Sequence, residues 1–272
     1  MNQSVLVIGA TGKQGFAVVK ALLNHGWHVR AFTRNKNSEI FTSIESNQLE
    51  IFEGDLSHPE SIAQAMKDQY GVYSVQPIIR DDVEEELRQG AMIIEQAENA
   101  GVSFMVYSTA GGVNRDRTGP HFEALAQIED QLKASQLNYT IIKPSFFMDN
   151  FLRIVQAHDE QLVIPEFINP TIQFAMISSI DIARIALEIF EHPKAYNHEA
   201  IEIASDELTL NEVVDTFENV TGKPTVIEGE FVSGTAERSW LEDHGYVVDF
   251  KQMDDINPNR LKLRDWMAQQ NF

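Results

Sequence analysis

The chain has 272 residues, 43% of them hydrophobic and 9% aromatic, enough to bury a sizeable core in one large domain or in a main domain with an appendage. With 41 acidic against 21 basic side chains its net charge is -20, a field that repels polyanions and argues against direct nucleic-acid binding. The absence of cysteine excludes disulfides, thiolate metal ligands and cysteine nucleophiles. Without a charged leader or an apolar run near 18 residues, the expectation is a cytoplasmic protein that makes no use of a membrane.

The first half alternates short β-rich runs with stretches of helical spacing. "SVLVIG" (4–9) is nearly continuous in aliphatic and β-branched residues and predicts a buried strand. "FAVVKALLNHG" follows with apolar residues at helical spacing and Gly26 where a C-cap belongs. Further strands are predicted at 28–33, 49–52, 71–76, 104–108 and 139–143, with helices near 58–68, 82–100 and 121–136 between them. Ser57 and Glu60 have the spacing of a capping box, and Pro59 suits a first helical turn. "DDVEEEL" (81–87) reads as a solvated helix start, where acids suit the dipole, and Gly101 ends that helix.

Strands alternating with helices of this length imply βαβ units and a doubly wound parallel sheet. Beyond Pro144 the rhythm changes: a helix is predicted over 146–157, then "LVIPEFINPTIQFAMIS", a helix from Ser179, a short strand at 199–204 and a helix near 209–221. No repeat or linker separates the parts. The expected organisation is an α/β domain over 1–150 and a smaller α+β domain over 151–272, with some of its elements returning to the first core.

Glycines 9, 12 and 15 fall between the first strand and the first helix, the context that gives a glycine motif meaning. Gly9 allows the tight turn, Gly12 lets the backbone approach a pyrophosphate, and Gly15 lets the helix pack close to the strand. Free amides at the helix start then bind the anion, with Thr11, Lys13 and Gln14 placed to add donors. The second strand ends in "AFTRNKN", so Arg34 and Lys36 stand where an NAD site carries a carboxylate. A guanidinium there can fork onto a 2′-phosphate, which points to NADP(H). "EGDLSH" puts Asp55 and Leu56 after the third strand, and "SVQP" puts Gln76 and Pro77 after the fourth. Each pair is either a dinucleotide contact or an ordinary turn.

"VLVIGATGKQG", "VRAFTRN", "GDL", "VYS", "HFEALAQIE" and "KPSFFMDNF" together resemble the NmrA-like family, an atypical branch of the short-chain dehydrogenase superfamily. The match runs in order over about residues 4–155 and more loosely beyond. The resemblance implies a Rossmann core with a small C-terminal domain, and NADP(H) held by Gly9 through Gly15, Arg34, Lys36, Asp55, Gln76 and the "FFMDN" loop, including Phe147 and Asn150. It implies either an NADPH-dependent reductase, of which a quinone reductase is the best version, or a regulator that binds the dinucleotide without turnover.

The superfamily usually needs Tyr and Lys four residues apart on a helix, with Ser after the fifth strand. "YTIIK" (139–143) has the letters but sits in a strand, where four positions span about 13 Å. At the helical position His121 replaces Tyr and Leu125 replaces Lys. His121 is either an acid near neutral pH or a structural hydrogen-bonding group. Ser108 is either a remnant hydroxyl of the site or strand-end chemistry. Phe146, Phe147 and Phe151 are either core or the wall of a nicotinamide pocket. No metal-ligand spacing is present among the histidines. The expected partner is a small-molecule acceptor, such as a quinone, or a regulatory protein, with the chain a monomer or homodimer. A Leu125→Lys variant is the discriminator that the sequence suggests.

Overall fold

The computed structural model describes residues 3–77, 79, 82–113, 115, 119–230, 240–243 and 245–270. Strands β1 (Ser4–Ile8), β2 (His28–Thr33), β3 (Leu49–Glu53), β4 (Gly71–Val75), β5 (Phe104–Ser108) and β6 (Tyr139–Pro144) pair in parallel in the order 3-2-1-4-5-6. Strand β11 (Glu199–Ile203) completes the seven-stranded sheet beside β6. All residues of β5 and β6 are buried and β1 nearly so. Continuous apolar runs make such strands because helices cover both faces of a parallel sheet. This is the doubly wound sheet that the alternation predicts and the Rossmann-like fold that the resemblance implies. Strand order reverses between β1 and β4, and the crevice outside the carboxyl ends there is where open α/β sheets take ligands.

The helices of this layer are α1 (Lys13–Asn24), α2 (Pro59–Met66), α3 (Val83–Asn99), α4 (Pro120–Ala134) and α6 (Ser179–Glu191). Helix α1 turns Val18, Val19 and Leu22 inward, and α3 turns in Ile93, Ile94 and Ala97. Helices α3 and α4 approach so closely that a Cβ on Gly90 would lie 2.6 Å from Ile128 Cδ1. The core between strands and helices includes Leu6, Ile8, Met66, Val72, Met105, Tyr107 and Leu132.

The chain divides into two compact units, Met1–Lys143 with Ile182–Ile201, and Pro144–Asp181 with Glu202–Phe272. The second holds two three-stranded sheets. One contains β7 (Phe146–Phe147), β10 (Gln173–Ile177) and β12 (Asp206–Thr209), and the other β8 (Gln156–His158), β9 (Gln161–Glu166) and β13 (Thr225–Glu230). Helices α5 (Phe151–Ile154), α7 (Leu210–Thr221), α8 (Phe250–Ile256) and α9 (Leu263–Met267) belong to it as well. Its core joins Phe151, Phe174, Met176, Phe217 and Trp266. Asp181 is fully buried there. It accepts from the Ser178 and Ser205 hydroxyls, the Asn257 amide and the Leu261 backbone N–H, at 2.7–2.9 Å. Charge-assisted bonds of this kind offset the cost of burying a carboxylate.

Three local expectations are corrected. The predicted helix over 146–157 is instead β7, a 3-10 turn at Met148–Asn150, the single turn α5 and β8. Pairing of Phe146 and Phe147 with Met176 and Ile177 wins over helical spacing. The expected capping box at Ser57 does not form: His58 is the N-cap of α2 without a side-chain bond, and the Ser57 hydroxyl reaches Glu85 at 3.3 Å. The capping box lies at Thr209 and Glu212, at the start of α7. The acidic run is only partly solvated, because Glu86 is 1% exposed; Asp81, its first residue, lies outside the described residues. Among the described residues no helix is long and apolar enough to cross a membrane.

Candidate functional site

The three glycines have different reasons to be glycine. Gly9 has φ +79, and a Cβ on it would lie 2.5 Å from the Val75 carbonyl oxygen. A Cβ on Gly15 would lie 2.1 Å from the Gly9 carbonyl oxygen. Both residues are therefore demanded by the turn itself. Gly12 is exposed, and its Cβ would meet only the Gly9 carbonyl oxygen, at 3.3 Å. Open space above a backbone at the start of a helix is what an approaching pyrophosphate needs. Gly12 is also the N-cap of α1, where no side chain caps and no acid stands in the first turn. The positive end of the helix is thus left to an outside anion. The residues present fit a dinucleotide.

Thr11 and Lys13 are exposed beside this opening. The Gln14 side chain is committed elsewhere. Its amide Nε2 is buried and bonds the Tyr73 hydroxyl and the Ser108 hydroxyl, both at 2.5 Å. That bridge ties the start of α1 to β4 and β5, and it occupies Ser108, which is 4% exposed. Burial raises the Tyr73 and Tyr107 phenols well above the usual tyrosine range, Tyr107 further through the charges of Glu86 and Glu129. The Tyr107 hydroxyl donates to Gln76, whose own amide donates to the Glu86 carbonyl at 3.1 Å. Gln76 is therefore anchored in the protein, and Pro77 is exposed beside it.

At the end of β2, Arg34 and Lys36 are exposed, and Lys36 lies 3.8 Å from Glu53. Asp55 serves an ordinary turn: its Oδ1 accepts from the Ser57 N–H at 2.8 Å. That bond, followed by the nearby His58 and Arg34 charges, holds its carboxyl below the usual carboxylate range. Leu56 is half-buried and packs on the main core.

His121 stands in the first turn of α4. Its Nδ1 lies 2.9 Å from one oxygen of Glu86 and 3.0 Å from the other. One helical turn on, Leu125 is 6% exposed in an apolar cluster with Val113 and Ala126. A second buried carboxylate follows. Glu129, fully buried, accepts from Lys143 Nζ at 2.9 Å, Lys133 Nζ at 3.3 Å and the Thr109 hydroxyl at 2.9 Å. Lys143 is thus spent on Glu129, while Tyr139, on the same strand, packs its ring 4.8 Å from that of His198. Sequence reasoning missed Glu86 and Glu129, although each lies on the apolar face of its helix.

In the second unit, Phe146 stacks on Phe167 with centroids 5.1 Å apart, and Phe151 is fully buried, so both are core. Phe147 is half-buried. Asp149 of the same loop caps α6 by accepting the Ser179 N–H and hydroxyl at 3.0 and 2.9 Å. Asn150 accepts from Arg153 at 3.0 Å. Glu188, Glu191 and His192 bring ligand-type atoms within 4.8 Å of one another, but on a largely exposed helix end where His192 already pairs with Glu188.

The NmrA-like family model matches residues 1–257. The chain belongs to the NmrA-like family. An NmrA-like family domain-containing protein of Dictyostelium discoideum is 28% identical over 240 residues, 82% of this chain and 79% of the relative. An NAD(P)H azoreductase of Xenophilus azovorans is 27% identical over 222 residues, 81% of this chain and 74% of its own. Among solved structures, NmrA, a negative transcriptional regulator in complex with NADP, aligns with a TM-score of 0.81 at 15% identity, covering 98% of this chain and 94% of that one. A Citrobacter sp. triphenylmethane reductase complexed with NADP(H) aligns at 0.76 and 17% identity, covering 98% and 99%. These likenesses show the fold. Within this NmrA-like fold, the glycine turn, the Arg34 turn and the ends of β4 and β5 fall on one edge of the sheet.

Proposed function

We propose that this NmrA-like chain binds NADPH in preference to NADH and directs its hydride to a small apolar acceptor of the quinone type. The open backbone at Gly12, above an uncapped helix start, is the observation that carries the reading. The dinucleotide supplies the hydride when bound. The first-turn amides of α1 hold the pyrophosphate, and Thr11 and Lys13 flank it. Arg34 would fork onto the 2′-phosphate, with Lys36, 3.8 Å from Glu53, adding positive charge beside it. Asp55, Leu56, Gln76 and Pro77 border the adenine and ribose from the ends of β3 and β4, by backbone and surface more than by free side-chain groups.

A second reading has its own support. Leu125 is sealed in an apolar cluster, so no ammonium stands one turn from His121 to hold a ribose. Under that reading the chain is a redox sensor, and a regulatory protein reads which dinucleotide form is bound. Fluorescence titration with NADPH and NADH, followed by a quinone screen, separates the cases. Tight NADPH binding with turnover supports the reductase, and tight binding without turnover supports the sensor. If neither dinucleotide binds, both readings fail.

A further inference from the structure

His121, half-buried, pairs with the buried Glu86, and a packing role alone would not require a carboxylate there. Glu86 is 1% exposed, where an unpaired charge is costly and a hydrogen-bonded partner is needed. Both of its oxygens lie within 3.0 Å of one nitrogen, His121 Nδ1. With Glu86 as the acceptor, the hydrogen between the two sits on Nδ1 in the arrangement inferred below. The other ring nitrogen, Nε2, has no protein partner among the described residues, and a quarter of the side chain is exposed.

Glu86 is itself fixed at the ligand edge of the sheet. Its carbonyl accepts from Gln76, just past β4, and Gln76 accepts from Tyr107 on β5. Strand β4 adjoins β1, and Gly9 presses against the Val75 carbonyl at the end of β4. The pair therefore stands on the same switch-point edge as the glycine turn.

We infer that Glu86 and His121 form a proton-donating dyad in which Glu86 is a positioning residue and His121 Nε2 delivers the proton that completes reduction of a polar double bond, C=O or N=N. The inference rests on the reductase reading above. A hydride arriving on one atom of the double bond, with two electrons from the reduced dinucleotide, leaves its heteroatom anionic. The imidazolium Nε2–H bond breaks as the new O–H or N–H bond forms. Neutral His121, with Nδ1–H still on Glu86, is reprotonated by water. A carboxylate in this position fixes the tautomer and ring orientation and stabilises the imidazolium. Quinones need little of this help, and carbonyl or azo acceptors need much more.

The first test needs no dinucleotide. Long-range nitrogen–proton correlation spectra of the imidazoles in mildly alkaline buffer should show His121 as the Nδ1–H tautomer in the native chain. In Glu86→Leu it should revert to Nε2–H, as in free histidine. A native Nε2–H tautomer, or no change in the variant, overturns the proposal. The second test is turnover with NADPH. His121→Gln and Glu86→Leu should lower kcat about 100-fold on an aldehyde or azo acceptor, the scale of general acid catalysis. The KM for NADPH should change little, and Glu86→Gln, which keeps an acceptor, should recover part of the loss. Loss of NADPH affinity in either variant would mark the pair as structural. Failure of the native chain to bind NADPH removes the reductase reading and this one with it. Normal binding with undiminished kcat in the variants removes this one alone.

Discussion

Gly12 and Gly15 stand three residues apart in one turn, and alanine at each should fail in a different way. At Gly12 φ is -79, open to any residue, and the added Cβ would sit 3.3 Å from one carbonyl oxygen. Alanine is a poorer N-cap than glycine, which costs about 0.5–1 kcal/mol, or about 1–4 °C in Tm for a chain of this size. At Gly15 the Cβ would lie 2.1 Å from the Gly9 carbonyl oxygen and 2.6 Å from its carbon. No rotamer relieves a clash with backbone, so α1 must move away from β1, at a cost of about 3 kcal/mol or more and about 6–12 °C. Binding should reverse the order of what is informative. The methyl of Gly12→Ala enters the space over the first-turn amides and removes a charge-assisted bond of about 1.5–3 kcal/mol, a rise of about 10- to 150-fold in Kd. The assay is thermal unfolding of both variants beside an NADPH titration of Gly12→Ala. A folded Gly12→Ala protein that binds NADPH as tightly as the native chain would refute the placement of the pyrophosphate. A Gly15→Ala protein with native Tm would refute the packing account of that glycine.

Arg34→Ser should raise the Kd for NADPH about 10-fold or more, the worth of one hydrogen bond to a charged group, and leave NADH within about twofold; calorimetric titration of both decides, and an equal loss would take the 2′-phosphate away from Arg34. Tyr73 and Tyr107 stay protonated in the fold at pH values where the unfolded phenols ionise, near pH 10. The unfolded state therefore binds fewer protons there, so the contribution of these two phenols to stability is constant well below about pH 10 and is lost as pH rises through it. Urea midpoints of the native chain should drop between about pH 9 and 11, and the Tyr73→Phe/Tyr107→Phe double variant should show a shallower drop. Leu125→Lys, the substitution that the sequence suggests as a gain of catalysis, would place an ammonium among Val113, Ala126 and Phe122. It should lower the urea midpoint by the equivalent of about 2 kcal/mol or more, and an undiminished midpoint would show that the ammonium escapes to solvent.

The parallel sheet and the glycine turn were legible because they rest on local chemistry: β-rich runs, a helix period and backbone positions that only glycine fills. The fate of polar side chains depends instead on partners far along the chain. Gln14 reads as a phosphate donor from its place in the turn. Its amide is spent on Tyr73 and Ser108, 59 and 94 residues away. The "FFMDN" loop reads as helix and pocket, but Asp149 is committed to the start of α6, 30 residues on. In each case a long-range bond consumed a group whose local context pointed outward.

The two buried carboxylates could have been found. Glu86 shares a helical stripe with Gln89, Gly90, Ile93, Ile94 and Ala97, and Glu129 shares one with Leu125, Ile128 and Leu132. A solvated acid belongs on the opposite face of such a helix. An acid on the apolar stripe is bound for the interior, where it must meet a cation or several donors. The chain has few cations to spare, with 21 basic side chains against 41 acidic ones. The histidine at the start of the next helix and the lysine at the end of a buried strand were the economical partners. They are the partners found, His121 for Glu86 and Lys143 for Glu129. The literal Tyr-x-x-x-Lys of the sequence thus supplies a structural lysine. In the proposed dyad His121 keeps Nε2 for proton transfer, and Glu86 determines that it is this nitrogen.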